Sequence, residues 1–539
     1  MKYTCLFLLL FGVSILHAQP SIQWQKCYGG TGNDEPGGMI QTRDGGYIMS
    51  GATHSANGDV TSNHGNLDLW VIKINARGAI EWQKTYGGSQ DDNAGAIIES
   101  LDGGYIIASS TNSSDGDLTG VFHGDSTESD VWVLKIDSLG TIEWQKTFGG
   151  SKNDFATSIV SGGEGEYVIS AVTNSSDGDV KGYHGGSGFD IWLFQISETG
   201  NLGWQKTFGG TKDDEGAVIQ TNNGGLAVIG TTFSNDGDVA GRHTIDTLSG
   251  DVWLLHLDNN GALIWQKTYG GSGYDAGYDA IETSDHGYVI AASTSSPNNG
   301  DVSGNHQTRY FSDCWIVKLD STGAIQWQKT LGGSQGDAAF SVIQTSESGY
   351  IVSGNTASND DDVIGEHGSS DCWVFKLSKT GDLLWQKTLG GSASDANYTS
   401  GIMPASDSGY LVLTTTWSND GDVSGLHGDS NNADIWIVKL SPDLSEVKDN
   451  YLPAGGSISV NPNPCVGKTT VTYDLDKLSY VKIELFNTIG EKLRFFIDAN
   501  EESGIHAHEF DLSSVPAGNY FLRIEIAGKS VLKAVELMK

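Results

Sequence analysis

Seven times the chain spells a short acidic loop that closes near a histidine: NGDVTSNHG (57–65), DGDLTGVFHG (115–124), DGDVKGYHG (177–185), DGDVAGRH (236–243), NGDVSGNH (299–306), DDDVIGEHG (360–368) and DGDVSGLHG (420–428). Carboxylates one residue apart on a tight turn suit a hard cation, so Asp115, Asp117, Asp177, Asp179, Asp236, Asp238, Asp420 and Asp422 are candidate Ca²⁺ ligands. The same residues also build an Asx-type turn whose histidine hydrogen-bonds the loop backbone or an aspartate. The turn is the preferred reading, because the loops lack the distant bidentate glutamate of an EF-hand and two carry Asn57 or Asn299 in place of the first aspartate. Zinc fits less well, since one histidine per loop cannot converge on one ion.

A specific ligand site should lie where the repetition breaks. The departures are Trp417 in TTTWSNDGD, Phe233 in TTFSNDGD, Arg309, Tyr310 and Phe311 in QTRYFSDCW, and Tyr274 and Tyr278 in GSGYDAGYDA. Aromatic rings among Asp and Asn side chains suit stacking on sugars or apolar patches, although packing between loops would use the same residues. Catalytic signatures are thin. GGSQG at 332–336 is the ordinary inter-repeat link with a chance glycine, and neither His-Glu-x-x-His nor a phosphate loop occurs. Asp pairs are so numerous that a glycosidase-type pair can be neither located nor dismissed. The expected function is therefore binding or adhesion, with Ca²⁺ the cofactor such loops would take; the alternative is a polysaccharide-active hydrolase or lyase.

The elements that position these loops are read from two series. Trp-Gln-Lys has its Trp at 24, 82, 144, 204, 265, 327 and 385, and Asp-x-Trp at 70, 132, 192, 253, 315, 373 and 436. Each period holds four short β-branched, apolar segments separated by Gly/Asp-rich turns, with no helical periodicity. The Asp-x-Trp segment is apolar at both parities and so is covered on both faces. An all-β, seven-bladed β-propeller over 21–443 follows. The last repeat has no Trp-Gln-Lys strand after it, whereas IQWQKCY at 22–28 is surplus at the start. Pairing the two ends closes the ring; an open solenoid would leave both edges bare.

Residues 1–18, MKYTCLFLLLFGVSILHA, read as a signal peptide: one Lys, an apolar run too short to span a bilayer, and Ala18 at the cleavage point. No other run is long enough for a transmembrane anchor. Nearly all of the formal net charge of −36 falls in residues 19–456, a surface that repels nucleic acid and attracts cations or basic partners. Cys27, Cys314, Cys372 and Cys465 lack metal or disulfide-framework spacing and read as small buried hydrophobes.

Residues 444–456 read as a linker. From 457 the charge nearly balances, with 9 basic and 11 acidic residues, and seven short strands in about 80 residues suggest an immunoglobulin-like β-sandwich. SVNPNPCVGKTTVTYDL, VKIELFNTIGEKL and FDLSSVPAGNYFLRIEIAGKSVLKAVELMK resemble the type A C-terminal sorting domain of the type IX (Por) secretion system. The matching features are Asn461 and Pro462, followed by Asn463 and Pro464, the Gly490 hairpin, and Pro516, Gly518 and Tyr520 in PAGNYFLRI. That resemblance implies export to the periplasm, passage across the outer membrane by that machinery, and a secreted or surface-attached product; the acidic loop face of the propeller is expected to contact extracellular glycan or protein.

Overall fold

The computed structural model describes residues 19–538 apart from 119–122, 124–126, 244–248, 307–310, 397–400, 430, 444–457, 463–464, 488–491 and 527–528. The expected signal peptide and the linker at 444–456 lie outside the described residues.

Ile22–Leu440 forms one unit and the chain from Ser441 onward belongs to another. In the first unit seven four-stranded antiparallel sheets follow one another as meanders. Blade 1 is Asp34–Gln41, Tyr47–Thr53, Asp68–Ile74 and Ile80–Tyr86, in that order across the sheet. Inner strands of neighbouring blades touch each other around the whole ring, so the first strand of each blade faces the axis. The second and third strands of blade 1 are buried at every residue, as continuous apolar runs such as DLWVIKI require of a strand covered on both faces. Seven apolar clusters fill the blade interfaces, one for each neighbouring pair.

The seventh blade closes as the repeat count requires. Its strands Gly401–Pro404, Tyr410–Thr416 and Asp434–Leu440 are completed by Ile22–Tyr28, antiparallel, with Cys27 opposite Trp436 and Tyr28 opposite Ile435. The Trp-Gln-Lys motif proves to be a joint. The third-strand tryptophans are all fully buried, and each indole N–H donates to the motif glutamine on the adjacent outer strand, as Trp436 does to Gln25 at 2.7 Å and Trp253 to Gln266 at 2.8 Å. The motif tryptophan reaches the next blade: Trp24 lies on the Gly78 turn so closely that a Cβ there would sit 2.9 Å from the ring, and the Tyr28 hydroxyl donates to Gly78 O at 2.6 Å.

The second unit is a two-sheet sandwich. One sheet orders Ser459–Asn461, Lys468–Leu475 and Gly504–Asp511; the other orders Cys465–Val466, Lys529–Met538, Gly518–Ile526, Ser479–Phe486 and Lys492–Glu501. Alternate residues such as Val471, Tyr473, Ile483, Leu485, Leu522 and Ile524 form its core. The short strand Cys465–Val466, which pairs parallel with the last strand, is the element that periodicity did not reveal. Among the described residues Cys27, Cys314, Cys372 and Cys465 are buried and none is bridged. Among the described residues no helix is long and apolar enough to cross a membrane.

Candidate functional site

The acidic loops are built into the joints between blades. In each, the first Asp or Asn accepts a backbone N–H from the preceding inter-blade link: Asp115 from Ser89 at 2.7 Å, Asp177 from Ser151 at 2.7 Å, Asp236 from Thr211 at 2.8 Å and Asp420 from Ser392 at 2.7 Å. Asn57 and Asn299 accept the equivalent bond from Thr31 and Ser272, both at 2.9 Å. An amide oxygen therefore does what the carboxylate does, and no charge is needed. The second aspartates, Asp117, Asp179 and Asp238, accept from Gly87, Gly149 and Gly209 at 3.1–3.4 Å. Asp422 is held through its backbone N–H to Gly390 O at 2.9 Å. This bonding supports the turn reading over calcium ligation.

Behind the loops runs a ring that periodicity alone did not reveal. Each third strand and five of the seven inner strands open on a buried aspartate, and in blades 2 and 7 the buried Asp92 and Asp395 stand ahead of the inner strand in isolated bridges to Thr111 and Thr416; the pairs across the joints include Asp434 with Asp34, Asp130 with Asp154 and Asp251 with Asp275. Asp275 accepts from the Thr294 and Ser296 hydroxyls and from Gly271 N–H, while Asp251 Oδ2 takes both the backbone N–H of His243, at 2.8 Å, and its Nδ1, at 2.7 Å. The far nitrogen of His243 lies 3.2 Å from Asp301 of the next blade, and His184 and His427 reach Asp238 and Asp59 at 3.3 and 3.5 Å. His427 thereby latches blade 7 to blade 1. In all seven third-strand aspartates the other oxygen, Oδ1, is buried without a hydrogen-bond partner. Burial pushes Asp34, Asp92, Asp154, Asp275 and Asp337 up to about 6, and it does the same to Asp190 and Asp371.

Gly149 sits between two such oxygens: a Cβ there would lie 2.6 Å from Asp154 Oδ2 and 2.7 Å from Asp130 Oδ1. Gly149→Ala should accordingly cost roughly 2–3 kcal/mol, read as a lowered midpoint in chemical denaturation with unchanged slope.

A different surface emerges on the loop-bearing face near the axis, where the inner strands begin. Phe233 and Tyr274, 41 positions apart in sequence, come within 6.0 Å centroid to centroid. Tyr278, on the inner strand Asp275–Glu282, meets Phe340 of the next inner strand edge-on at 4.9 Å. Tyr274 and Tyr278 keep 36% and 39% of their surface, and so can offer ring edges and hydroxyls to a ligand. Desolvation raises both phenols above their ordinary value, with the nearby Glu215 adding to the effect. Asp279 accepts Val342 N–H at 2.9 Å, and burial pushes its carboxyl up to about 6.

Of the anticipated aromatics, Tyr274 and Phe233 are thus brought together and Tyr278 joins beside them. Trp417 is half-buried in the seventh blade, with no aromatic ring against it among the described residues. Arg309 and Tyr310 lie outside the described residues; Phe311 next to them is 43% exposed. Phe340, Glu215 and Asp279 were missed. Their signal was available, since the three or four positions after the recurrent Asp214, Asp275 and Asp337 vary from blade to blade as EGA, AGYD and AAF.

In the second unit the Tyr520 hydroxyl donates to Pro516 O at 2.7 Å, just ahead of which the strand opening at Gly518 begins. The Thr469 hydroxyl donates to Pro462 O at 2.9 Å, and Asn461 pairs with Thr470. Gly490, Asn463 and Pro464 lie outside the described residues, although the strands flanking Gly490 pair as a hairpin.

Residues 459–536 match the family model of the secretion system C-terminal sorting domain. No curated protein matches the chain. Solved structures similar to it include the hydrazine synthase of Kuenenia stuttgartiensis (11% identity, 73% of this chain and 95% of that one, TM-score 0.42). Others are the Pan2 WD40 domain of Neurospora crassa (9%, 78% and 98%, TM-score 0.39) and a protein of unknown function from Dyadobacter fermentans (11%, 78% and 99%, TM-score 0.38). The C-terminal unit is thus a type IX sorting signal, and the chain is a secreted or outer-surface β-propeller protein that engages the type IX machinery through it.

Proposed function

We propose that this exported propeller is a binding or adhesion protein whose axial aromatic patch, Phe233, Tyr274, Tyr278 and Phe340, takes an extracellular glycan. The observation that carries the reading is the confinement of the patch to blades 4–6, where the repeat is broken, while the residues common to all blades hold the ring together. Aromatic faces pack on the C–H face of a sugar ring, and the phenols, Glu215 and Asp279 are placed to meet its hydroxyls.

Tyr274→Ala combined with Tyr278→Ala should weaken binding on a glycan array by more than tenfold, about 1.4 kcal/mol, while the melting temperature stays within a few degrees. Trp417→Ala should have a smaller effect. Retention of full affinity in the double variant would remove the patch from the site. Capture of a protein ligand and no glycan would change the ligand class, and new reducing ends or unsaturated products would replace binding by catalysis.

A further inference from the structure

Within the second unit Glu501, His506 and His508 form one cluster, their ligand atoms all within 4.8 Å of one another. Glu501 is the last residue of Lys492–Glu501, in the five-stranded sheet; both histidines lie two residues apart on Gly504–Asp511, in the three-stranded sheet, and so share one face of that strand. We infer that these three side chains bind one divalent transition-metal ion, with zinc the best fit, which ties the two sheets of the sandwich together.

The cluster turns one nitrogen of each imidazole toward the same carboxylate. His506 Nε2 lies 2.8 Å from the Glu502 carbonyl, which can only accept, so the imidazole proton is on Nε2. Its Nδ1 faces Glu501 Oε2, 3.3 Å away. His508 Nε2 sits 3.1 Å from Glu501 Oε1 yet is buried without a hydrogen bond. Two imidazole nitrogens converging on one carboxylate frame a place that a divalent ion would fill.

Distances and support suit a metal. A tetrahedral site with bonds of about 2.0–2.1 Å has ligand–ligand edges of about 3.3 Å; His506 Nδ1 lies 3.3 Å from Glu501 Oε2 and His508 Nε2 lies 3.1 Å from Glu501 Oε1, one carboxylate oxygen to each nitrogen. Ligation through a single carboxylate oxygen would draw in the nitrogen–nitrogen edge and one nitrogen–oxygen edge, from separations within 4.8 Å. Orienting partners are also present, as metal-ligating groups usually require. The Glu502 carbonyl holds His506, the Tyr473 hydroxyl donates to Glu501 Oε2 at 2.5 Å, and the histidine rings lie parallel within 3°, both stacked near Tyr473. Side-chain exposures of 13–32% leave an entry path and a fourth position for water. A set of two nitrogens and one carboxylate selects zinc-like ions over calcium and magnesium, which prefer oxygen.

The test uses the full chain with its C-terminal unit retained. Zn²⁺ titrated calorimetrically into metal-free protein should bind with one saturable site per chain that excess Ca²⁺ does not displace. His506→Gln and His508→Gln should each weaken it by at least about 100-fold, and Tyr473→Phe, which removes only the orienting hydroxyl, by about tenfold. Co²⁺ should give a tetrahedral ligand-field spectrum that the histidine variants lack. Melting of the metal-free variants at the wild-type temperature would show that they fold. Absence of a saturable Zn²⁺ site would overturn the inference; so would Zn²⁺ binding unchanged in the histidine variants, which would assign the ion to the propeller's His/Asp joints.

Discussion

A chain that lacks residues 21–28 should lose most of the propeller's cooperative stability. The deletion uncovers one edge of Asp434–Leu440, a strand buried at every residue, and removes the acceptor of the Trp436 indole N–H. The damage reaches the neighbouring blade as well. Tyr28 belongs to the apolar cluster that also contains Tyr47, Met49 and Trp70 of blade 1, and its hydroxyl holds the Gly78 turn. Burial of Tyr28, Cys27 and part of Ile22 and Trp24, together with one buried and one part-buried hydrogen bond, amounts to roughly 5 kcal/mol or more, comparable with the total stability of many domains. Thermal unfolding should show a large drop in Tm or a split transition, and limited proteolysis should cut first within 401–440 and the first blade. A milder probe is Gln25→Leu, which leaves one indole N–H unpaired and should cost about 1–3 kcal/mol; Gln266→Leu, at the same position inside the ring, should cost the same. If the deletion melts like the parent, the ring is not closed by its first strand.

The propeller should also be more stable at pH 5 than at pH 8, contrary to ordinary acid denaturation. Seven of the joint aspartates are pushed up to about 6 by burial, so between their unfolded value near 4 and about 6 the folded state binds more protons than the unfolded chain. Stability from these groups is complete below pH 4 and is lost as pH rises through 6. His123 and His243 are raised chiefly by their hydrogen bonds to Asp130 and Asp251, and their contribution fades above 6.5, in the same direction. Opposing them, Asp44 and Asp285 are lowered to about 2, held by hydrogen bonds from Lys73 and Thr42 in one case and from Thr283 and Lys318 in the other, and lose their contribution as pH falls from 4 toward 2. The melting temperature should therefore peak near pH 4–5 and fall by roughly 5–10 °C by pH 8.

Surface repulsion in a chain of net charge −36 has the same sign, but salt screens it, whereas the buried pairs are screened far less. Scans at high salt isolate the joint effect. Asp190→Asn keeps an oxygen for the His184 N–H and puts an amide where the unpartnered Oδ1 stood, so it should flatten the profile and be at least as stable as the parent at pH 8. A flat profile in the parent at high salt would refute this account.

Much of the architecture was legible because it repeats. A seven-fold series of Trp-Gln-Lys and Asp-x-Trp leaves a closed ring as the one arrangement that gives IQWQKCY a partner, and β-strand parity places the runs DVWVLKI and YIIASST in the interior. The acidic loops were legible as turns, since Asn57 and Asn299 show that charge is dispensable there. Less legible was the function of the third-strand aspartate: DVW reads as a strand start, and nothing local says that its carboxylate is buried against an aspartate of the next blade and a histidine of its own loop.

By itself the sequence determined the ring, its closure and the sorting tail, because these follow from periodicity and local hydrogen-bonding chemistry that each repeat states again. Only the tertiary structure decided which non-repeating residues meet. Phe233 with Tyr274 and Tyr278 with Phe340 lie on different blades, and Glu501 with His506 and His508 on different sheets. The physical reason is common to both: such sites are made by side chains from separate hydrogen-bonded units, and their distances depend on how those units pack.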